Sequence, residues 1–165
     1  MGGDGTVRRY DVWLSEPDTT NNRMALRSVI DTFDALSRKG NNFRVVFTTD
    51  SRYIVDGMTD WVRGWMARGW RRKGGAVENV ELWQAAVASL RAHQVEWRWV
   101  RGHAGHPQNE YANHLATRAA AEQTASNGLV PSEFTVWWPS QKASAHTAPD
   151  PFPDSSAFRA SAPLR

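Results

Sequence analysis

Cysteine is absent from all 165 residues. That excludes a disulfide framework and any thiolate metal site, and it agrees with a reducing cytoplasm. No run of about 18 apolar residues occurs, and the N-terminus lacks the basic-then-apolar pattern of a signal peptide. A soluble, cytoplasmic protein with no membrane partner is therefore expected. No self-similarity at solenoid-like periods is found. Acid is missing locally: net charge is only +3, yet Arg63, Arg68, Arg71, Arg72 and Lys73 fall between Asp60 and Glu78 with no acid among them. Such an excess points to a polyanionic partner.

What is present suffices for one sizeable core, with 41% hydrophobic residues. The opening residues, with Val7, Tyr10, Val12, Trp13 and Leu14 among polar neighbours, predict a short two-stranded hairpin. Thr20-Asn21-Asn22 offers N-cap side chains to a helix carrying Leu26, Val29, Ile30, Phe33 and Leu36 at helical spacing, stopped by Gly40. Phe43 to Thr49, with Val45, Val46 and Phe47 in succession, predicts a strand buried on both faces and ending at Asp50. Ligands of open α/β sheets collect at that edge, although an isolated Asp there also suits a helix cap. A helix over 51–63 follows, then one begun by Asn79, then an alternating strand with Val95, Trp97 and Trp99 inward.

Trp61, Trp65 and Trp70 are interleaved with the basic cluster and interrupted by Gly64, Gly69, Gly74 and Gly75. One helix face accounts for Trp61 and Trp65 as core. Trp70-Arg71-Arg72-Lys73 before two glycines is better explained as an exposed protrusion that grips a nucleic-acid backbone. After the strand comes Arg101-Gly102-His103-Ala104-Gly105-His106-Pro107 and a helix over 108–122. A zinc pair of His103 and His106 lacks further visible ligands. A globular domain over 1–125 and a Pro/Ser/Ala-rich, disordered tail over 126–165 are expected, with Trp137-Trp138 docking locally.

Four stretches, Thr19 to Met24, Thr49 to Tyr53, Asn79 to Trp83 and Trp99 to Pro107, occur in the order and spacing of type I ribonuclease H, which the chain resembles over about residues 2–122. The resemblance implies an α/β (α+β) ribonuclease H-like fold, a mixed sheet in strand order 3-2-1-4-5 packed by helices. It implies cleavage of the RNA strand of RNA–DNA hybrids by divalent metal, Mg2+ or Mn2+, held by four carboxylates. Four anions suit that task because two cations less than about 4 Å apart repel strongly and must be offset.

Carried over residue by residue, the resemblance places Asp50 at one intact carboxylate position. The Glu of the first helix corresponds to Ala25, which has no ligand atom, and the Asp of the last helix to Asn113, which brings no charge. Met1-Gly2-Gly3 matches the end of the turn after the family's first strand, so that strand and its Asp are expected to be missing. Asp4-Gly5 lies too near Ala25 to replace them. Metal binding at Asp50, assisted by Glu110 and Asn113, is expected to be weak. His103 matches a mobile-loop histidine that assists proton transfer or product release. On the binding side, Thr20, Asn21 and Asn22 match hybrid contacts, Trp61, Trp65, Trp70, Arg71, Arg72 and Lys73 match the substrate-binding handle, and Arg52 and Asp56 replace amide side chains.

Three functions follow in order of expectation: a pseudo-enzyme that binds hybrid or duplex nucleic acid but cuts poorly, an active Mg2+- or Mn2+-dependent hybrid ribonuclease with an atypical site, and a non-catalytic scaffold or remnant. The missing strand would leave an interior edge open, to be closed by pairing of the remaining strands, by a strand-donating partner or by a dimer.

Overall fold

A computed structural model describes residues 6–164. The readings of Met1-Gly2-Gly3 and of Asp4-Gly5 lie outside the described residues. In chain order the elements are β1 (Tyr10–Asp11), α1 (Asn21–Ser37), β2 (Arg44–Thr49), α2 (Arg52–Asp56), a π-helical turn (Gly57–Trp61), α3 (Val62–Ala67), β3 (Arg71–Arg72), β4 (Gly75–Ala76), α4 (Val80–Ser89), β5 (Gln94–Trp99), α5 (Pro107–Glu122), β6 (Val130–Pro131) and α6 (Phe134–Trp137). Short 3-10 turns follow at Trp138–Ser140, Lys142–Ala145 and Ser155–Ala157. The chain divides into two compact units, Asp18–Gly102 with the residues from Pro151 on, and the residues up to Pro17 with His103–Asp150.

The first of these units is built on β2 and β5, which run parallel with Val45 opposite Val95 and Thr49 opposite Trp99. On α1, Leu26, Val29 and Phe33 are fully buried, the spacing of one helical face, and they meet Trp83, Ala86 and Val87 of α4 in one core. Thr20 opens α1 as expected, its hydroxyl accepting from the Arg23 N–H at 3.2 Å. Buried His93 ties three elements together: its Nδ1 accepts from the Phe43 N–H at 3.0 Å and its Nε2 lies 2.8 Å from the Ser37 hydroxyl. Burial holds its pKa below the ordinary histidine value.

Three local expectations are corrected in this unit. Val45, Val46 and Phe47 are half-buried rather than buried on both faces, because among the described residues β2 has a strand neighbour on one side only. Asn79 does not cap α4 with its side chain; it sits at φ 55°, and its amide donates to the Tyr53 hydroxyl at 3.4 Å. Trp99 is 38% exposed, so the alternation along β5 fails at its last residue, where the strand leaves the sheet.

In the other unit, Tyr111 and Leu115 of α5 bury against Phe134 and Trp138, with Trp137 beside them. β1 pairs antiparallel with β6, Asp11 opposite Val130, in place of the expected hairpin within the first 20 residues. Asp11 is buried, yet its carboxylate accepts from the Tyr111 hydroxyl and, at 3.4 Å, from the Glu133 N–H, which satisfies the desolvated charge. Burial, then the bond to Asp11, raises the Tyr111 pKa.

The stretch from 126 on departs from the expectation of disorder. Within the α5 unit, Trp138 is buried, in line with the local docking expected of Trp137-Trp138, and Phe134 is buried beside it. Within the β2–β5 unit, Leu164 joins the core, the Ser161 N–H donates to the Val95 carbonyl at 2.7 Å, and the Arg159 N–H donates to Glu96 at 2.9 Å. That last bond, with Arg98 at 2.8 Å, draws the Glu96 pKa down. Average composition conceals such anchors, because a few apolar side chains at the right places are enough to hold a polar segment.

Candidate active site and nucleic-acid interface

Asp50 follows β2 directly and is exposed. The choice between helix cap and free acid is resolved by its neighbour: the Ser51 hydroxyl accepts from the Ile54 N–H at 3.2 Å and starts α2. The Asp50 carboxylate therefore has no capping duty. Its main chain is held instead, since the Trp99 indole N–H donates to the Asp50 carbonyl at 3.1 Å. Gly102 packs so close that a Cβ there would lie 2.8 Å from Asp50 Oδ2. Any larger residue would displace the carboxylate. Neither Trp99 nor Gly102 is singled out as a site residue by sequence reasoning, although both lie in the Trp99 to Pro107 stretch that carries the family resemblance.

Ala25, on α1 in the same unit as Asp50, is half-buried against the core. It offers a methyl group, which carries no ligand atom. His103, Glu110 and Asn113 belong to the other unit. His103 is exposed at φ 53°. Glu110 is committed locally, Oε1 accepting from the Gly105 N–H at 3.2 Å. Asn113 is exposed on α5 and lines an open groove of about 800 Å³ together with Glu110, His114, Trp137 and Lys142. His106 is no partner of His103 in a zinc pair: its Nδ1 accepts from the Asn109 N–H at 3.1 Å as the cap of α5, and its Nε2 meets Asp150 at 2.7 Å. Among the described residues, no group of three or more His, Cys, Asp or Glu could hold a metal ion. The donors among the described residues thus do not by themselves make up a two-metal carboxylate centre.

The tryptophans and the basic residues separate in space. Trp65 packs against the core as its helical spacing suggested, Trp70 packs there rather than protruding, and Trp61, also read as core, is the exposed one of the three, at 37%. They form a ladder, Trp61 to Trp65 at 5.9 Å and Trp65 to Trp70 at 6.5 Å between ring centres, with Trp65 edge-on to Trp83 at 5.4 Å. This ladder carries the β3–β4 ribbon, whose tight turn Lys73-Gly74 uses φ 94° at Gly74, a conformation suited to glycine. Arg71, Arg72 and Lys73 are exposed on it. Arg63 is drawn off to the C-terminal segment, its guanidinium donating to the Ala162 carbonyl at 2.6 Å. Asn21 and Asn22 are exposed in the first turn of α1, beside the Thr20 cap, and Arg52 in the first turn of α2.

A parallel strand pair ending at an exposed acid, with a cationic ribbon on an aromatic base, defines an α/β nucleic-acid-binding domain. Comparison with known proteins gives the family. The RNase H family model matches residues 5–121. The Ribonuclease H of Herminiimonas arsenicoxydans is 49% identical over 112 residues, 67% of this chain and 75% of that protein. That of Alcanivorax borkumensis is 41% identical over 133 residues, 77% and 86% respectively. Among solved structures, LC9-RNase H1, described as a type 1 RNase H with the type 2 active-site motif, matches with TM-score 0.92 and 61% identity over 100% of this chain and 79% of that one. The chain belongs to the type I ribonuclease H family and has the ribonuclease H-like fold, in agreement with the motif-based reading. That family acts on RNA–DNA hybrids and cleaves their RNA strand.

Proposed function

We propose that this chain recognises RNA–DNA hybrid and cleaves its RNA strand poorly or not at all. The observation that carries this reading is Ala25: an apolar side chain, half-buried against the core, stands where the family has a carboxylate. Asn113 adds no charge, and Glu110 is engaged by the Gly105 N–H rather than free to compensate. Mg2+ surrenders its water reluctantly and asks for anionic ligands, so Asp50 without the family's other carboxylates is a weak site for Mg2+ or Mn2+. Binding is better supported than chemistry: the exposed cations Arg71, Arg72, Lys73 and Arg52, exposed Trp61, and the α1 start with Thr20, Asn21 and Asn22 supply phosphate and minor-groove contacts. Trp65 and Trp70 act by supporting the ribbon. The absence of cysteine is in keeping with a cytoplasmic setting.

A second reading, a working ribonuclease with an atypical site, is favoured by the description of LC9-RNase H1 as a type 1 enzyme with the type 2 motif, since an altered motif is then compatible with this fold. The deciding experiment follows an end-labelled RNA strand in an RNA–DNA hybrid while Mg2+ and Mn2+ are titrated, with a gel shift of the same samples. A shift without cutting is expected. Metal-dependent cutting that disappears in Asp50→Asn would overturn the first reading and establish the second.

A further inference from the structure

We propose that Trp99 is a positioning residue that holds the Arg52 guanidinium beside Asp50 as a fixed contact for a backbone phosphodiester of the bound nucleic acid. The inference rests on the hybrid-binding reading above and names a contact within it.

Arg52 Cζ lies 4.0 Å from the centre of the Trp99 ring. A cation at that distance is attracted by the negative face of the indole, and no hydrogen bond or ion pair among the described residues takes up the guanidinium N–H groups. The ring itself is fixed. Its N–H donates to the Asp50 carbonyl at 3.1 Å, Trp99 sits opposite Thr49 in the parallel ladder, and the Val100 N–H donates to the Thr49 carbonyl at 2.9 Å. Ring, cation and Asp50 main chain thus form one rigid corner at the end of β2. Among the described residues no carboxylate pairs with Arg52. Its charge is oriented but not neutralised.

Local stability alone would not choose this residue. Arg52 opens α2, where the helix dipole disfavours a cation, and the first turn of α2 contains no acid to offset it. A residue that opposes a local preference yet is held in place by a neighbour marks a functional site. An unpaired guanidinium with its donor edge exposed matches the paired oxygens of a phosphodiester, which it binds bidentately. The exposed ring thereby serves as the backing of the contact.

The test measures hybrid affinity by fluorescence anisotropy between 50 and 200 mM KCl for the full chain and for Arg52→Ala, Arg52→Lys, Trp99→Phe, Trp99→Leu and Arg52→Ala/Trp99→Leu. Losing one phosphate contact removes about 0.9 from the slope of log affinity against log salt, so the loss of affinity across that range should shrink by about 3.5-fold in Arg52→Ala. Trp99→Leu should reproduce the same change with Arg52 still present, the double variant should add nothing, and Trp99→Phe should retain the parental slope. An unchanged slope in Arg52→Ala, with Arg71→Ala and Lys73→Ala still weakening binding, would overturn this inference and leave hybrid recognition standing. A parent chain that shows no salt-sensitive binding would overturn both. Arg52 is exposed, so Arg52→Ala decides the matter even if Trp99→Leu folds poorly; a parental slope in correctly folded Trp99→Leu would refute the positioning role.

Discussion

Gly57→Ala separates packing from helix propensity, because the two predict opposite signs. Gly57 has ordinary helical φ, −61°, and opens the π-helical turn between α2 and α3. Propensity alone says that alanine there should stabilise by about 1 kcal/mol. The packing says otherwise: a Cβ at Gly57 would lie 2.0 Å from Trp83 Cη2 and 2.7 Å from both Cζ2 and Cζ3, where carbon atoms prefer about 3.5–4.0 Å. Trp83 cannot step aside cheaply. It is fully buried, its N–H donates to the Tyr53 hydroxyl at 2.8 Å, and its ring lies 5.0 Å from Tyr53 and 5.4 Å from Trp65. Overpacking costs about 1–3 kcal/mol, and a buried N–H pulled from its acceptor costs about 1–3 more. After the propensity gain, the expected net loss centres near 3 kcal/mol. For a chain of this size that lowers Tm by about 6–12 °C. Thermal unfolding followed by circular dichroism and tryptophan fluorescence, with urea titration for the free energy, measures it. In a Trp83→Leu background the added methyl group has room, and the cost should fall below about 1 kcal/mol, the non-additivity expected of residues in contact. A neutral or stabilising Gly57→Ala in the parent would refute the reasoning.

Three further outcomes are expected. His93 has a folded-state pKa below its unfolded value, so it contributes stability that is complete above the unfolded pKa and is lost as the pH falls through that value toward the folded one; urea midpoints should therefore decline on acidification below about pH 6.5, and a His93→Gln variant should lose that part of the pH dependence. Tyr111→Phe leaves the buried Asp11 carboxylate without its hydroxyl donor, retaining the long Glu133 N–H contact, and should cost about 1.5–3 kcal/mol by urea unfolding; a change under about 0.5 kcal/mol would show that water replaces the hydroxyl. Leu164→Ala removes an apolar side chain that is 9% exposed from the core of the β2–β5 unit and should cost about 2–3 kcal/mol, a result that a disordered tail would not produce.

The elements with strong periodicity were legible in advance. Leu26, Val29 and Phe33 repeat at helical spacing, so α1 and its buried face follow from pattern alone, and the Thr20 cap follows from chemistry. The candidate positions Asp50, Ala25 and Asn113 come from the motifs, which carry position as well as residue type. What surrounds Asp50 was not. Whether Asp50 or Ser51 caps α2 depends on backbone direction over three residues, and the two assignments are equivalent in a string of letters. The tryptophan cluster was half legible: Trp65 as core and Arg71 to Lys73 as exposed cations were visible, but the sorting of Trp70 inward and Trp61 outward follows from the packing of the rings around Trp65 and the core.

The sequence by itself determined the family, through ordered motifs spread over most of the chain, and it determined that a methyl group at Ala25 and an amide at Asn113 bring no carboxylate charge in any conformation. Tertiary structure alone decided the long-range pairings: β1 with β6, Leu164 with the α1–α4 core, Trp99 beneath Arg52, and Gly57 against Trp83. Local preference is set by a residue and its near neighbours along the chain, whereas these contacts join positions far apart in it or depend on the close approach of two packed elements. Their energies exist only once the core has closed.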